Sequence, residues 1–272
     1  MISTAAQATT NDGLGLLVRR WECDEPRARM LLIHGVGEHS GRWEHVGSFF
    51  GDRGIDVTAF DLRGHGASGG ARVDLESFEE FLDDVAVVFG ETPADVPRII
   101  YGHSLGGLIA TSYGMSDRPQ PDLYVLSAPS LMANIPLALR LLAHVLGRLW
   151  PRFRAPNSLK AEQLSRDPAV GERYFADPLV ETKATVRFGL TVFKQMDALR
   201  GNYGRLTRPA LVIHGAEDKL VPPHASAPLA ALDNVERKLF AGLRHETHNE
   251  PEHDEVLGFV AAWLDDQIST IR

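Results

Sequence analysis

Apolar residues along this chain fall into two alternating patterns. One is a set of short continuous runs: Met30–Ile33, Val57–Phe60, Arg98–Tyr101, Leu123–Leu126 and Ala210–Ile213. These runs stop at His34-Gly35, Asp61, Gly102, Ser127 and His214-Gly215. Such short, largely β-branched or aliphatic runs suit strands buried on both faces of a parallel sheet. The other pattern is helical. In Leu75–Phe89 the residues Phe78, Phe81, Leu82, Val85 and Phe89 recur at helical spacing, with the acids elsewhere. Glu255–Leu264 repeats the pattern near the end of the chain, after a last strand at Val235–Phe240. The alternation predicts an α/β architecture, a mostly parallel central sheet with helices on both faces.

One segment interrupts it. No further strand pattern follows Leu126 until Ala210, and the stretch between carries helical patterns broken by Pro136, Pro151, Pro156, Pro168 and Pro178. This predicts an inserted helical cap over residues 128–205, between core segments 1–127 and 206–272. Loops at the carboxyl ends of such strands are where function concentrates. The first fifteen residues, small and polar, read as a short disordered arm leading into a strand.

Composition removes some partners. The net charge of −8 disfavours nucleic acid. Cys23 is the sole cysteine, so no internal disulfide and no Cys-rich metal site can form, and cysteine usage is compatible with the cytosol. The beginning lacks a basic stretch followed by an apolar run, and no apolar run approaches the ~18 residues of a membrane span. A cytoplasmic protein, with any membrane contact peripheral, is expected.

The chemistry lies at the strand ends. Gly102-His103-Ser104-Leu105-Gly106 is a Gly-x-Ser-x-Gly pentapeptide between the strand ending at Tyr101 and a helical run over Leu105–Met115. In that strand–turn–helix setting it is a nucleophile elbow. Glycines flank the serine because a Cβ there meets the adjoining strand and helix. The Leu105 N–H, at a helix start, is open to a developing oxyanion. His34-Gly35-Val36-Gly37-Glu38-His39 follows an earlier strand and is placed to give a second donor, the Val36 N–H. The glycine- and charge-rich segment Asp61–Gly69 reads as structural, Asp61 and Arg63 pinning a loop; no Gly-Lys-Ser/Thr follows to make it a phosphate cradle.

A serine nucleophile needs a base and an acid that orients the base, in the chain order serine, acid, histidine. Two acids, Glu217 and Asp218, follow the Ala210–Ile213 strand. Of the downstream histidines, His224 precedes the last strand, and His253 sits in the acidic start of the final helix. His245 lies in the loop after the last strand, at the edge where Ser104 emerges, with His248 close by.

The runs HGVGEHSGRW (34–43), GHSLGG (102–107), GAEDKLV (215–221) and LRHETHNE (243–250) resemble the monoacylglycerol lipase family, including its bacterial members. So do the cap segments Leu164–Pro168 and Tyr174–Val180. The elbow is common to many α/β-hydrolases; GEHSGR with the cap segments is far more specific. The resemblance implies an α/β-hydrolase fold and a triad of Ser104, Asp218 and His245, which selects Asp218 over Glu217. It also implies oxyanion donors at Val36 and Leu105 and glycerol contacts at Glu38, Arg42 and His248. Glu38 and Arg42 have a plainer alternative, a local ion pair that shapes the loop. Trp43 stands where the family more often has tyrosine, and the redox-sensitive cysteines of animal members have no counterpart.

The expected activity is hydrolysis of monoacylglycerols through an acyl-enzyme on Ser104, with no metal or organic cofactor. A broad carboxylesterase or lysophospholipase would use the same triad. A catalytically dead scaffold would lack a triad member, and none is missing. The base should titrate near the ordinary histidine value of about 6.5. In Ala138–Trp150, Leu141, Leu142, Val145, Leu146 and Leu149 share a helical face beside a stripe of Arg140, His144 and Arg148. Such a helix docks transiently on a lipid surface or packs its leucines inward over an acyl tunnel, and both hold if some leucines stay exposed.

Overall fold

The protein is represented by a computed structural model that describes residues 1–133, 137–157 and 159–271. Pro136, read above as a break in the cap, lies outside the described residues. The first core segment contains β1 (Thr4–Thr9), β2 (Gly15–Trp21), β3 (Ala28–Ile33), α1 (Glu44–Gly51) and β4 (Ile55–Phe60). It continues through α2 (Glu79–Gly90), β5 (Arg98–His103), α3 (Leu105–Gly114) and β6 (Leu123–Ser127). Then come α4 (Leu137–Leu149), β7 (Arg154–Pro156), α5 (Ala161–Leu164), α6 (Pro168–Ala176), β8 (Lys183–Thr185) and α7 (Val186–Leu199). The chain closes with β9 (Ala210–Gly215), β10 (Val235–Phe240) and α8 (His253–Ile271).

Eight strands form one sheet in the order β1-β2-β4-β3-β5-β6-β9-β10. The six from β4 to β10 in that order run parallel, whereas β2 is antiparallel to β4 and β1 antiparallel to β2. This is the α/β-hydrolase architecture. The two-residue period of the strands divides their side chains between two cores. Ile33, Phe60, Ile100, Leu126 and Val212 pack with Phe81 and Val85 of α2 and Leu108 and Ile109 of α3. Leu32, Ala59, Tyr101, Val125 and Ile213 pack on the other face with Val46 and Phe50 of α1 and Val256, Val260 and Leu264 of α8.

Three local expectations change. The amino-terminal arm is not disordered but forms β1, folded onto β2 through a turn at Asn11-Asp12-Gly13 in which Gly13 takes φ +82°. The helix expected from Leu75 starts at Glu79. Before it, the Glu80 carboxylate accepts the N–H groups of Glu76 (3.0 Å) and Ser77 (2.8 Å) and holds the chain in a turn, while Leu75 and Phe78 still bury. The segment between β6 and β9 is not purely helical, because β7 and β8 pair antiparallel as a ribbon of three residues each.

That intervening segment is fastened to the core at several places. Val73, a buried β-branched residue at φ 44°, offers its carbonyl to Thr185 N–H at 3.0 Å, and Asp74 binds Thr185 Oγ1 (2.7 Å) and Arg187. Charge is also divided. Residues 128–205 carry twelve Lys and Arg against six Asp and Glu, a formal +6, which leaves −14 on the remainder. Helix α4 turns Leu141, Leu142, Val145 and Leu149 outward, and Trp150 and Phe153 continue this exposed apolar surface. Its Arg140 is paired with Asp197 of α7 rather than free in solvent. Among the described residues, no helix is long and apolar enough to cross a membrane.

Candidate active site

Ser104 sits between β5 and α3 at φ 52°, ψ −114°, a conformation that L-residues avoid. The turn is held because strand and helix close on it without side chains: a Cβ on Gly102 would lie 2.2 Å from the Gly106 carbonyl oxygen, and one on Gly106 2.0 Å from that of Ile33. Ser104 N–H donates to Ser127 O at 2.9 Å, tying the elbow to β6. The Leu105 N–H belongs to the first turn of α3, whose leading N–H groups lack intrahelical acceptors.

The loop after β3 lies against the elbow; a Cβ on Gly35 would be 3.2 Å from Ser104 Cβ. Gly35 is held at both its N–H and its carbonyl, the latter part of the Gly35–Val36 peptide. Gly35 N–H donates to Glu38 Oε1 at 2.6 Å, and Gly35 O lies 2.7 Å from His34 Nδ1. His34 Nε2 accepts the Leu62 N–H at 2.9 Å, so the hydrogen is on Nδ1, and burial lowers the His34 pKa to about 4. In a trans peptide the N–H points opposite to the C=O. With the Gly35 carbonyl turned to His34, the Val36 N–H faces away from that ring.

Asp218 and His245 come from the loops after β9 and β10. Asp218 Oδ2 accepts from His245 Nδ1 at 2.7 Å, while Oδ1 accepts the N–H groups of Leu220 (2.8 Å) and Val221 (3.0 Å). Glu217 next door is exposed, as is His224. The His245 ring centroid lies 4.8 Å from that of His103, the neighbour of Ser104. With Nδ1 committed to Asp218, Nε2 is the nitrogen left for proton exchange. Burial alone would raise the Asp218 pKa, but the His245 charge and the donors around the carboxylate outweigh it and hold Asp218 far below the ordinary range. For His245, burial acts downward and is outweighed by the charge of Asp218 and its hydrogen bond, so its pKa is raised. The expectation of an unperturbed histidine is therefore revised. A histidine base works deprotonated, so with His245 in that role kcat/KM should be lost as pH falls through a midpoint above about 6.5. A pH profile on a soluble ester, with chemistry limiting, checks this; a midpoint below 6.5 contradicts it.

Beside these groups is a buried polar cluster. Arg42 donates to Glu38 Oε2 at 2.7 Å and to both oxygens of Glu246 at 2.8 Å, and Trp43 Nε1 donates to Glu38 Oε2 at 3.1 Å. The local ion pair weighed for Glu38 and Arg42 is thus present, enlarged by Glu246. Glu246 was not singled out in the sequence, although it adjoins His245. His248 is fully buried, stacked on Trp43 at 3.9 Å between centroids and edge-on to His103 at 4.8 Å, and neither ring nitrogen has a hydrogen-bond partner among the described residues.

The segment from 161 to 181 covers these loops. Glu181 N–H donates to Gly37 O at 2.8 Å, and His39 Nε2 meets Asp177 Oδ2 at 2.9 Å. On the histidine side, Glu246 N–H donates to Leu164 O (2.8 Å), and Ser165 Oγ to Asn249 O (3.0 Å). The cap segments that carried the resemblance are those that touch the two loops. Asp177 and Ser165 lie within those segments and His39 within the run 34–43, but their pairings are not legible in the sequence because the partners are distant in the chain.

The arrangement supplies an alcohol on a strained turn, an imidazole oriented by a carboxylate, and backbone N–H groups beside the alcohol, which is the equipment of acyl transfer. Among the described residues, no group of three or more His, Cys, Asp or Glu could hold a metal ion.

Comparison with known proteins agrees with this chemistry. The family model described as "Serine aminopeptidase, S33" matches residues 24–252. The chain is 38% identical over 262 residues to the monoacylglycerol lipase of Mycolicibacterium smegmatis, covering 93% of each chain. It is 30% identical to phospholipase YtpA of Bacillus subtilis, covering 91% of this chain and 99% of that one. The crystal structure of Paleococcus ferrophilus monoacylglycerol lipase superposes with a TM-score of 0.81 at 31% identity, covering 98% of this chain and 100% of the other. The chain belongs to the serine aminopeptidase S33 family of α/β-hydrolases and, within it, to the monoacylglycerol lipases.

Proposed function

We propose that this enzyme hydrolyses monoacylglycerols to fatty acid and glycerol, with Ser104 as nucleophile, His245 as base and Asp218 as the acid that orients it. Ser104 Oγ attacks the ester carbonyl carbon as its proton passes to His245 Nε2. The carbonyl oxygen becomes an oxyanion received by the Val36 and Leu105 N–H groups. The imidazolium then protonates the departing glycerol oxygen. Water, deprotonated by His245, attacks the acyl-enzyme, and Ser104 recovers its proton as the fatty acid leaves.

The observation that carries the choice of substrate is the buried polar cluster of Glu38, Arg42, Glu246 and His248 beside the elbow. A glycerol head brings two free hydroxyls, each a donor and an acceptor. His248, with two unpartnered ring nitrogens, is the member most in need of such a group. Glu38 already accepts three N–H donors, so its first task is to brace the oxyanion loop, and its loss should slow all esters.

Residues 128–205 are the cap over this site, and α4 with Trp150 and Phe153 is its contact with a lipid surface. Leucines 51–61% exposed on a +6 segment favour an anionic surface: a basic side chain near one contributes about 1 kcal/mol. The exposed leucines add apolar burial at about 25 cal/mol per Å².

A second reading, a lysophospholipase with the same triad, is favoured by the Bacillus subtilis phospholipase relative. One substrate panel decides. Mono-, di- and triacylglycerols, lysophospholipids and soluble short-chain esters are compared for the wild type and Leu142→Glu. Monoacylglycerols should be turned over fastest, and Leu142→Glu should slow long-chain turnover and vesicle binding while sparing soluble esters. Faster lysophospholipid turnover favours the second reading. A uniform loss in the folded variant means that Leu142 serves packing.

A further inference from the structure

The carboxylate of Asp218 has a second histidine. His214, fully buried near the end of β9, places Nε2 3.1 Å from Asp218 Oδ2, the oxygen that His245 also uses, and 2.9 Å from the Val221 carbonyl. An ionised carboxylate and a carbonyl have no hydrogen to give, so Nε2 carries one and shares it between them. With two backbone N–H groups on Oδ1 and two imidazole N–H groups on Oδ2, the lone pairs of Asp218 are all engaged.

The far side of His214 explains why the hydrogen stays there. Nδ1 is 3.1 Å from Ser226 Oγ. That oxygen accepts the Nε–H of Arg237 from β10 at 3.0 Å, and another Arg237 N–H goes to the Pro223 carbonyl. A guanidinium only donates. Its hydrogen on Ser226 therefore leaves the serine's own hydrogen for His214 Nδ1 or for Pro223 O, each 3.1 Å away; a neutral His214 with its hydrogen on Nε2 leaves Nδ1 as an acceptor facing that hydroxyl.

We propose that His214 is a positioning residue of the triad: its Nε2–H fixes the plane of the Asp218 carboxylate and takes up part of the charge that Asp218 presents to His245, and Arg237 and Ser226 hold His214 in that role. This rests on the reading of Asp218 and His245 as acid and base. Removing the Nε2–H leaves Asp218 Oδ2 to His245 alone. The imidazolium is then held more tightly, and the carboxylate loses one of four restraints.

The test uses a soluble ester with His214→Leu, His214→Gln, Ser226→Ala and Asp218→Asn. Glutamine places an N–H where His214 has Nε2. For His214→Leu, the acidic midpoint of kcat/KM should move up by about 0.5 to 1 pH unit and kcat fall about 3- to 10-fold, with KM unchanged. The low-field proton resonance of His245 Nδ1–H should shift as well. His214→Gln should restore midpoint, kcat and resonance, and Ser226→Ala should move the midpoint in the same direction by less. His103, Glu246, Glu38, Arg42 and His248, the other titratable or charged groups around His245, are untouched. A folded glutamine variant as impaired as leucine overturns the proposal, because ring packing would then be what matters. So does a wild-type profile in the leucine variant. Should leucine prevent folding, the glutamine and Ser226→Ala profiles decide by the same criteria. If Asp218→Asn abolishes turnover while all His214 variants behave as wild type, only this proposal fails; if Asp218→Asn is itself active, the triad reading fails.

Discussion

Ser104→Ala is expected to lose ester turnover by at least about 10³-fold while remaining folded, because the members of a triad act as a unit. The alanine keeps the Cβ that packs near Gly35 and removes only the hydroxyl, so Ser104 N–H can still donate to Ser127 O and the elbow should stand. Residual hydrolysis would come from the oxyanion donors and from binding. A phosphonate that esterifies active serines should label the wild type once, at Ser104, and leave the alanine variant unlabelled. Labelling elsewhere, or undiminished turnover by the variant, would remove Ser104 from its assigned role.

Asp218→Asn should cost nearly as much, up to about 10⁴-fold in kcat. The amide is nearly isosteric but carries hydrogens where the carboxylate carries lone pairs, so it meets His245 with the wrong tautomer and no charge to stabilise the imidazolium. His214 adds a conflict. Its Nε2–H also points at Oδ2, so an amide nitrogen there faces two donors, and the amide oxygen can satisfy only one arrangement. Glu217→Gln, at an exposed position, should leave kcat within a factor of two or so. The reverse ranking would transfer the acid to Glu217.

The parts of this molecule that could be read from the chain are those in which function is local. The elbow is five consecutive residues whose glycines answer to contacts of 2.2 and 2.0 Å, and the proposed acid and base, Asp218 and His245, follow strands whose positions the residue pattern predicts. The parts that could not be read depend on pairing across the chain. The β7–β8 ribbon has three residues per strand, too few for a period, and forms because residues 154 and 185 meet. The amino-terminal strand carries only small and polar residues, so it lacks an apolar pattern, although Asn11-Asp12-Gly13 was a usable turn signal. The start of α2 was misjudged because Leu75 and Phe78 bury as a helix would bury them, from a turn held by Glu80. Glu246 and His214 were passed over for another reason. Each adjoins a motif already explained, and only the geometry reveals that Glu246 grips Arg42 with both oxygens and that His214 shares an oxygen with His245.

The split of charge between a +6 cap segment and a −14 remainder gives the molecule a built-in compass. A body with a net charge of −8 is repelled by an anionic bilayer when seen as a whole, and salt screens that repulsion beyond about 8 Å at physiological ionic strength. On the proposed membrane contact, a torque on the separated charges would act inside that distance and favour encounters in which residues 128–205 lead. The surface proposed to arrive first bears the exposed Leu141, Leu142, Val145 and Trp150. Raising the salt should therefore act in two opposed ways, letting the protein approach in any attitude while weakening the alignment that makes an approach productive. Dwell time on anionic vesicles should pass through a maximum at intermediate ionic strength, rather than fall steadily as it would for a uniformly basic protein.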